Sequence, residues 1–431
     1  MTTLKIQPAK RIQGRIRVPG DKSISHRAIM LGSLAYGTTR VENFLDSADC
    51  LSTAEIFRSL GTRIQRAGTR VVIQGRGLQG LAAPKRTLDA GNSGTTSRIL
   101  LGLLAGQPFE SRLTGDKYLR KRPMRRVTEP VSRMGAQFIG KEQGSFLPIR
   151  VKGGALKGIQ YELPVASAQV KSAILLAGLY AQGVTSVTEP LPTRDHTERM
   201  FAAFGIPLKR RGKTVSLRGP VQPFKGRNIR VPGDISSAAF FLVAGLLVPG
   251  SELTIEGVGV NPTRTGLLEV LLKMGADMSV TPRKVGKGEE PVADLTVRAS
   301  KLKAVQVWGA TVPKMVDEFP ILAVAATQAQ GTTVVRNAED LRVKESNRIE
   351  AVTAFLTRMG ANISSTPDGW IIKGPTPLMG VSVDSHGDHR IAMSAAIAAL
   401  VAKGPTVIRD VDNIETSFPG FEKLLGKVVR R

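Results

Sequence analysis

Cysteine and aromatic residues are scarce in this sequence. Among its 431 residues the single cysteine is Cys50, which excludes an intramolecular disulfide and any metal site built from several thiolates. Cys50 stands near a predicted helix start, where a thiol can be activated, but a small packed side chain is the simpler interpretation. Phe, Trp and Tyr make up 5% of the chain and few lie between the Lys and Arg, which disfavours base stacking with nucleic acid.

Long apolar runs are missing too. Gly and polar residues interrupt every apolar stretch well before the roughly 20 apolar residues that a membrane span requires. The first six residues do not follow the charged-then-apolar plan of a signal peptide. With 42% hydrophobic residues, the composition is that of a globular protein, and we expect a cytoplasmic protein with no membrane partner.

Acids are the minority among the charged residues. Asp and Glu number 35 against 61 Lys and Arg, which gives a net charge of +26. Such a charge suits either nucleic acid or small polyanionic substrates. Because the cations are spread over the chain and not gathered in a tail, we favour small-molecule substrates and expect no nucleic-acid partner. A basic repeat protein that binds nucleic acid is the alternative from another class.

Several cofactor motifs are absent. There is no G-x-x-x-x-G-K-[ST] loop, no dinucleotide fingerprint at the start of a βα unit and no G-x-S-x-G nucleophile turn. His386 and His389 form the one close histidine pair, and their spacing could suit a metal, but no third ligand is in view. The sequence therefore predicts no cofactor and no metal.

One stretch of the sequence occurs twice. Residues 17–27 read Arg-Val-Pro-Gly-Asp-Lys-Ser-Ile-Ser-His-Arg, and residues 230–237 read Arg-Val-Pro-Gly-Asp-Ile-Ser-Ser. Val-Pro-Gly-Asp supplies turn chemistry and the Ser that follows supplies an N-cap oxygen, so a helix should begin at each copy. The runs after them, 28–35 and 238–247, are apolar almost all round, which predicts buried helices.

A longer periodicity divides the chain into six repeats, each with a helix, a Gly, a β-branched strand, a loop and a second helix closed by a Gly. The glycines after the first helix are Gly37, Gly106, Gly183, Gly250, Gly331 and Gly404. The strands predicted after them are 38–41, 110–113, 184–187, 251–255, 332–335 and 405–408. The closing glycines are Gly61, Gly135, Gly205, Gly275, Gly360 and Gly426.

The spacings between paired glycines are 24, 29 and 22 residues, and then 25, 29 and 22. This repeated order predicts two homologous domains of three βαβ-like units each, and the chain is also longer than a single core normally serves. We expect one domain at 17–231 and the other at 232–431, with residues 1–16 packed on the second. The active site is expected in the cleft between the domains, where helix starts face a crevice.

Five first-helix starts carry an unusual set of side chains. Helix dipole, backbone N–H groups, hydroxyls and cations coincide there, which is the physical specification of a phosphate or carboxylate site. The alternative for any one of them is a capped helix with a solvated Arg. These starts lie at residues 22–27, 91–98, 167–171, 313–318 and 386–390.

Second-helix starts add cations where the helix dipole opposes them, at residues 120–125, 194–198 and 342–348. A bound anion would relieve that conflict. Two acids stand out in this basic background: Asp317, beside Glu318, and Glu345, between Lys344 and Arg348. We interpret Asp317 and Glu345 as proton-transfer groups, with structural ion pairs as the alternative.

Together these segments resemble one family, the 5-enolpyruvylshikimate-3-phosphate synthases. The resemblance covers nearly the whole chain and is carried by residues 19–27, 91–98, 120–123, 167–169, 194–197, 342–348 and 387–390. It implies an α/β fold of two domains arranged as an inside-out α/β barrel, with three βαβαββ repeats in each domain and six in all. It also implies closure of the domains on the substrates, and a monomer is the expected state.

The family resemblance implies a specific reaction. Shikimate 3-phosphate and phosphoenolpyruvate would give 5-enolpyruvylshikimate 3-phosphate and phosphate by addition and then elimination, a step toward chorismate and the aromatic amino acids. The two substrates bring two phosphates and two carboxylates, which explains the demand for cations.

Residue roles come from positions that match the family. Residues that look like contacts to shikimate 3-phosphate are Lys22, Ser23, Arg27, Ser167, Ala168, Gln169, Arg194, Asp317 and Lys344. Residues that look like the phosphoenolpyruvate site are Lys22, Gly94, Arg122, Gln169, Arg348 and Arg390. By the same resemblance, Asp317 takes the proton of the 5-hydroxyl, and Glu345 with Lys22 transfers protons at the methylene carbon.

Two positions depart from many family members. Ala168 stands where many have Ser, and Thr416 stands where many have Lys. Gly94 leaves room for the inhibitor glyphosate, while these two departures point to the less sensitive group, so the inhibitor response is left open. The nearest rival is the sister transferase acting on UDP-N-acetylglucosamine, whose usual catalytic cysteine has no counterpart at residues 115–122; Cys50 lies elsewhere.

Overall fold

A computed structural model describes residues 2–286 and 289–430. The chain forms two compact units. The 20–231 unit contains those residues together with the described part of 286–290, and the 232–431 unit contains the rest of the described chain, including residues 2–19. The chain passes from one unit to the other at Pro19 and again at Val231, within the two Val-Pro-Gly-Asp turns.

The α-helices of the described chain are α1 Lys22–Leu34, α2 Ala48–Ser59, α3 Gly94–Ala105, α4 Arg125–Arg133, α5 Lys141–Gly144, α6 Ala168–Gly178, α7 His196–Ala203, α8 Ile235–Leu247, α9 Gly266–Lys273, α10 Phe319–Thr327, α11 Arg348–Arg358, α12 His389–Ala399 and α13 Phe421–Val428. Short 3-10 helices cover Leu119–Lys121, Gly309–Lys314, Glu339–Val343 and Asp412–Thr416.

The strands are β1 Thr3–Ile6, β2 Arg11–Ile16, β3 Tyr36–Glu42, β4 Arg63–Ala67, β5 Arg70–Arg76, β6 Leu88–Asp89, β7 Glu110–Thr114, β8 Gln137–Gly140, β9 Ile149–Lys152, β10 Gln160–Glu162, β11 Gly183–Thr188, β12 Lys209–Arg211, β13 Thr214–Gly219, β14 Asn228–Arg230, β15 Glu252–Gly259, β16 Asp277–Pro282, β17 Val292–Arg298, β18 Gln306–Val307, β19 Gly331–Val335, β20 Asn362–Thr366, β21 Gly369–Gly374, β22 Ser382–Asp384, β23 Thr406–Arg409 and β24 Val429–Arg430. The six strands predicted after the first helices are confirmed as parts of β3, β7, β11, β15, β19 and β23.

The 20–231 unit contains three mixed sheets of one design. Their strand orders are β14-β3-β5-β4, β6-β7-β9-β8 and β10-β11-β13-β12. In each, the first pair is parallel and the other two pairs are antiparallel. Strand β14 completes a sheet whose other strands lie more than 150 residues earlier, with Asn228 opposite Arg40.

The 232–431 unit repeats this design with changes at its chain ends. Its sheets are β16-β17-β15-β2-β24, β18-β19-β21-β20 and β1-β23-β22. Strand β2 pairs in parallel with β15, and β1 pairs antiparallel with β23. The first strands of the chain therefore belong to sheets of this unit, and the α/β class predicted from the sequence is confirmed.

Each unit has its own core, built around the first helices of its repeats. Helix α3 packs against α1 and α6 in one unit, and α8, α10 and α12 contact one another in the other. Almost every residue of α1 and α8 is buried, as the apolar runs predict. Among the described residues, no helix is both long enough and apolar enough to cross a bilayer.

Two local predictions were wrong. The N-cap oxygen of α1 and α8 belongs to the Asp of the turn and not to the Ser after it: Asp21 Oδ1 accepts from Ile24 N at 2.9 Å, and Asp234 Oδ1 accepts from Ser236 N at 2.8 Å. The Asp side chain already faces the unpaired N–H groups of the first turn. Gly426 lies inside α13 and does not close it, because the chain continues as helix to Val428.

Candidate active site

The start of α1 places a cation beside an acid. Lys22, the first residue of α1, pairs with Asp49 of α2, and its side chain is 19% exposed. Cys50 lies behind it, with Sγ 3.8 Å from the Lys22 carbonyl oxygen. Burial raises the pKa of the Cys50 thiol, so this thiol is a packed neutral group and not an activated one.

Arg27 is buried one turn further along α1. Its Nε donates to Thr197 Oγ1 at 2.7 Å and its Nη2 donates to Ser172 Oγ at 2.7 Å. Its Nη1 donates to the Ser23 carbonyl oxygen at 3.0 Å. Burial lowers the pKa of Arg27 to about 10, and the nearby positive charge of Arg194 contributes in the same direction. The side chain stays charged at neutral pH, and Arg27 ties α1 to α6 and α7.

The start of α3 lies against a second guanidinium. Ser93 is the N-cap, and its Oγ accepts from Thr96 N at 3.1 Å. A Cβ placed on Gly94, the first residue of α3, would lie 2.9 Å from Arg122 Nη1 and 3.0 Å from its Cζ. Arg122 therefore approaches the helix start as closely as a glycine allows.

The start of α6 connects to α3 through Gln169. Gln169 Oε1 accepts from Arg98 Nη1 at 2.9 Å, and its Nε2 donates to Thr95 Oγ1 at 3.1 Å. Ser167 is the N-cap of α6, and Ala168 is its first residue. Direct contacts within the 20–231 unit thus join the three helices α1, α3 and α6, on which these predicted residues lie.

Lys171, which the sequence placed at the same helix start, has a different position. It is fully buried, with Nζ 2.9 Å from Glu189 Oε2 and 2.6 Å from Glu198 Oε1. Two carboxylates hold this amine, so Lys171 is a structural ion pair of the interior.

The 232–431 unit brings a second set of predicted residues together around Arg348, the first residue of α11. Asp317 Oδ1 lies 3.3 Å from Arg348 Nη1 and 3.6 Å from Arg390 Nε. Glu345 Oε2 accepts from Arg348 Nη2 at 2.6 Å. Asp388 Oδ2 accepts from Arg348 Nε at 2.9 Å.

Electrostatics holds this cluster in its charged form. Burial alone lowers the pKa of Arg348, but the carboxylates of Asp388, Glu345 and Asp317 outweigh it, and the pKa rises above its ordinary value. Burial also raises the pKa of Asp388, yet the Arg348 charge outweighs that effect and lowers it. Asp317 and Glu345 keep 19% and 23% of their side chains exposed, so a ligand can reach these two acids.

Lys344 forms an ion pair with a neighbouring acid. It pairs with Asp340, four residues earlier, and 20% of its side chain is exposed.

The predicted segment 386–390 ends in Arg390. Arg390 is 8% exposed and lies with His389 in the first turn of α12. The buried His389 has Nδ1 3.5 Å from Thr416 Oγ1, whereas His386 is exposed. Among the described residues, no group of three His, Cys, Asp or Glu side chains is placed to hold a metal.

Sequence reasoning gave no individual role to three residues of these clusters, although two of them lie in the segments 91–98 and 386–390 that it singled out. Asp49 pairs with Lys22, Arg98 holds Gln169, and Asp388 holds Arg348 while capping α12 through Arg390 N at 2.9 Å. Asp388 lies in the segment 387–390 that carried the resemblance, one residue before a helix start. Asp49 lies on a helix face outside those segments, where no sequence pattern separates a site residue from a surface one.

The two clusters define an α/β enzyme for small anionic substrates, with buried guanidiniums at helix starts and accessible carboxylates beside them. The comparisons make this class specific. The family model described as EPSP synthase (3-phosphoshikimate 1-carboxyvinyltransferase) matches residues 6–425, and the chain belongs to this family.

Relatives support the assignment over the full length. A 3-phosphoshikimate 1-carboxyvinyltransferase of Desulforudis audaxviator is 56% identical over 428 residues, with 99% of each chain covered. One of Brevibacillus brevis is 53% identical over 425 residues, again with 99% of each chain covered. Among solved structures, an EPSP synthase of Acinetobacter baumannii has a TM-score of 0.89 and 47% identity, and the match covers 100% of this chain and 98% of that one.

Proposed function

We propose that this chain transfers the enolpyruvyl group of phosphoenolpyruvate to the 5-hydroxyl of shikimate 3-phosphate, releasing phosphate. The observation that carries the proposal is the Arg348 cluster, where two guanidiniums and two accessible carboxylates meet. Guanidiniums bind carboxylate and phosphate groups, and the carboxylates supply the proton transfers. The family assignment supports the same reaction.

The residues that we propose to contact the substrates are found in both units. In the 20–231 unit, Lys22, Ser23, Arg27, Ser167, Ala168, Gln169 and Arg194 contact shikimate 3-phosphate, and Gly94 and Arg122, with Lys22 and Gln169, contact phosphoenolpyruvate. In the 232–431 unit, Asp317 and Lys344 contact shikimate 3-phosphate, and Arg348 and Arg390 contact phosphoenolpyruvate.

The proposed chemistry has two balanced stages. In the first, Asp317 takes the 5-hydroxyl proton while the oxygen bonds to the phosphate-bearing carbon, and the methylene carbon receives a proton and becomes a methyl group. In the second, the methyl group loses one proton, the double bond re-forms and the carbon–oxygen bond to phosphate breaks. Glu345 with Lys22 gives and takes the protons at that carbon.

The finer architecture is part of the proposal. We propose that the six sheets and their helices form the inside-out α/β barrel of the family, with three βαβαββ repeats in each domain. The repeated strand order within the sheets supports this arrangement. We also propose a monomeric cytoplasmic enzyme without metal or cofactor.

A phosphate-release assay tests the proposed function. Purified protein should release phosphate when shikimate 3-phosphate and phosphoenolpyruvate are both present, and not when either is omitted. UDP-N-acetylglucosamine in place of shikimate 3-phosphate should give none, because Cys50 is a buried neutral thiol. Absence of phosphate release with both substrates, together with salt-dependent retention of DNA, would favour the nucleic-acid alternative.

A further inference from the structure

A chain of buried hydrogen bonds crosses the 20–231 unit from α1 to α3. His26 Nδ1 lies 2.8 Å from Thr53 Oγ1, and Thr53 Oγ1 lies 2.6 Å from Thr96 Oγ1. Thr96 Oγ1 donates to Ser93 Oγ at 2.7 Å. All four residues are 0% exposed. We call them the His26 chain; the proposed mechanism uses none of them.

The hydrogens of the His26 chain can be assigned by counting donors. The Thr96 hydroxyl has one hydrogen and gives it to Ser93, so the 2.6 Å contact between the two Thr hydroxyls needs the hydrogen of Thr53. The Asp49 carbonyl oxygen, 3.3 Å from Thr53 Oγ1, is the more distant acceptor, and His26 Nδ1 lies 3.4 Å from Thr96 Oγ1. Thr53 then accepts from His26, which makes His26 Nδ1 the protonated nitrogen. All the bonds then run in one direction, an arrangement in which each bond polarises the next.

The far end of the imidazole agrees with this assignment. His26 Nε2 is buried and has no hydrogen-bond partner in the described chain. A hydrogen on Nε2 would be a buried donor without an acceptor, which is costly. Burial and the nearby charges of Lys22 and Arg27 lower the pKa of His26, against the opposing effect of Asp21, so the ring is neutral.

Each end of the His26 chain lies next to a residue that we propose to bind substrate. His26 is the direct neighbour of Arg27 and lies on the same helix as Lys22 and Ser23. Ser93 caps α3 and directly precedes Gly94, which lies against Arg122. We propose that the His26 chain is a positioning device that fixes the first turn of α3 relative to α1 and thereby sets the affinity for phosphoenolpyruvate.

This inference rests on the proposed function and makes a kinetic prediction. Thr96→Val keeps the shape of the side chain but removes the hydroxyl that joins Thr53 to Ser93. KM for phosphoenolpyruvate should rise about tenfold because the buried hydrogen bonds of the Thr96 hydroxyl to Thr53 and Ser93 are lost, while kcat and KM for shikimate 3-phosphate change less than about twofold. Thr96→Ser restores the hydroxyl and should restore KM.

A matched control separates positioning from general destabilisation. Ser33 is a fully buried residue of α1 whose hydroxyl has no partner in the described chain. Ser33→Ala should therefore leave both KM values unchanged. An unchanged KM for phosphoenolpyruvate in a folded Thr96→Val variant, or an equal rise in both KM values, would overturn the inference. A wild-type protein inactive with both substrates would instead overturn the proposed function.

A measurement on the wild-type protein tests the position of the His26 hydrogen without using the kinetic variants. The chain has four histidines, and 15N NMR of the imidazole nitrogens distinguishes the two neutral tautomers. The His26 signal is the one that disappears in His26→Gln, or that correlates with the hydroxyl proton of Thr53. At pH 7 this signal should be that of a neutral ring with its hydrogen on Nδ1. A hydrogen on Nε2, or a charged ring, would overturn the directed chain.

Discussion

Arg348 makes four hydrogen bonds to three carboxylates, those of Asp388, Glu345 and Asp317. An anionic ligand that binds this guanidinium must compete with at least one of the carboxylates. Asp388 is buried and the other two are accessible, so a ligand displaces Asp317 or Glu345. Ligand binding would then release an acid from its ion pair at the moment when a base is needed.

Asp317→Ala tests the residue that takes the hydroxyl proton. The variant should keep its affinity for shikimate 3-phosphate but lose at least about 10²-fold in kcat, the usual contribution of general-base catalysis. Phosphate release gives kcat, and calorimetric titration gives the affinity. Near-normal turnover in a folded variant would refute the role of Asp317.

Gly94→Ala tests the close approach of Arg122. The added methyl group would lie 2.9 Å from Arg122 Nη1, so the guanidinium must move away from the start of α3. KM for phosphoenolpyruvate should rise several-fold, and Arg122→Lys should raise it as well, because an ammonium cannot replace the bidentate guanidinium. Gly154→Ala, where no atom lies within 4 Å of the added carbon, is the matched control and should behave as wild type.

At the residue scale, sequence reasoning singled out the side chains that we propose to bind substrate, but not all of the acids that pair with them. Lys22, Arg122 and Arg348 were recognisable because their motifs are local. Their contacts are not: Lys22 meets Asp49 and Arg348 meets Asp388, and neither acid is adjacent in sequence. Such pairs form through tertiary packing, which residue types and spacing alone do not encode.

At the scale of elements, one capping acid has two tasks, since it caps its own helix and pairs with a cation at the start of another helix. Asp388 caps α12 and pairs with Arg348. Asp388→Asn separates these tasks because Asn is an equally good cap but carries no charge. The variant should lose about 1–3 kcal/mol of unfolding free energy at neutral pH, since a buried charge loses one partner.

The pH dependence of that loss has a defined sign. Arg348 lowers the pKa of Asp388 in the folded protein, so the contribution of the ion pair is present above the unfolded pKa of about 4 and disappears as the pH falls through the lower folded pKa. Denaturant unfolding of the wild-type protein and of Asp388→Asn should show that the difference between their unfolding free energies becomes smaller below about pH 4. A difference that grew toward acid pH would contradict the assignment.

Elements with strong local signals were predictable, and those completed at long range were not. The strands after each first helix follow from β-branched residues behind a Gly. The partners of β3 and β15, which are β14 and β2, lie far away in the chain, and short edge strands carry little pattern. Gly426 shows that a local signal can also mislead. Its spacing predicted the end of a helix, but it lies within α13.

At the scale of the whole molecule, charge is unevenly divided. Residues 20–231 contain 34 of the 61 Lys and Arg but only 14 of the 35 acids, so most of the net charge belongs to that part of the chain. The repeat spacing predicted three units in each half but gave no sign of this charge imbalance.

The charge predicts a dependence on salt. The Debye length falls from about 30 Å at 0.01 M to about 10 Å at 0.1 M salt, so the attraction of anionic substrates should weaken over this range. kcat/KM for either substrate should fall with ionic strength while kcat changes less. Thermal unfolding at each salt concentration checks that the protein stays folded. A salt-independent kcat/KM would show that the surplus charge does not steer substrates.

The most direct test of enolpyruvyl transfer by addition and elimination is the reaction of the wild-type protein with both substrates in D2O, followed by NMR. Addition creates a methyl group that contains one solvent deuterium, and elimination then removes a hydrogen or that deuterium. The predicted result is one phosphate per enolpyruvyl ether formed, with deuterium in the vinyl methylene group. No phosphate, or a product free of deuterium, would contradict the proposal.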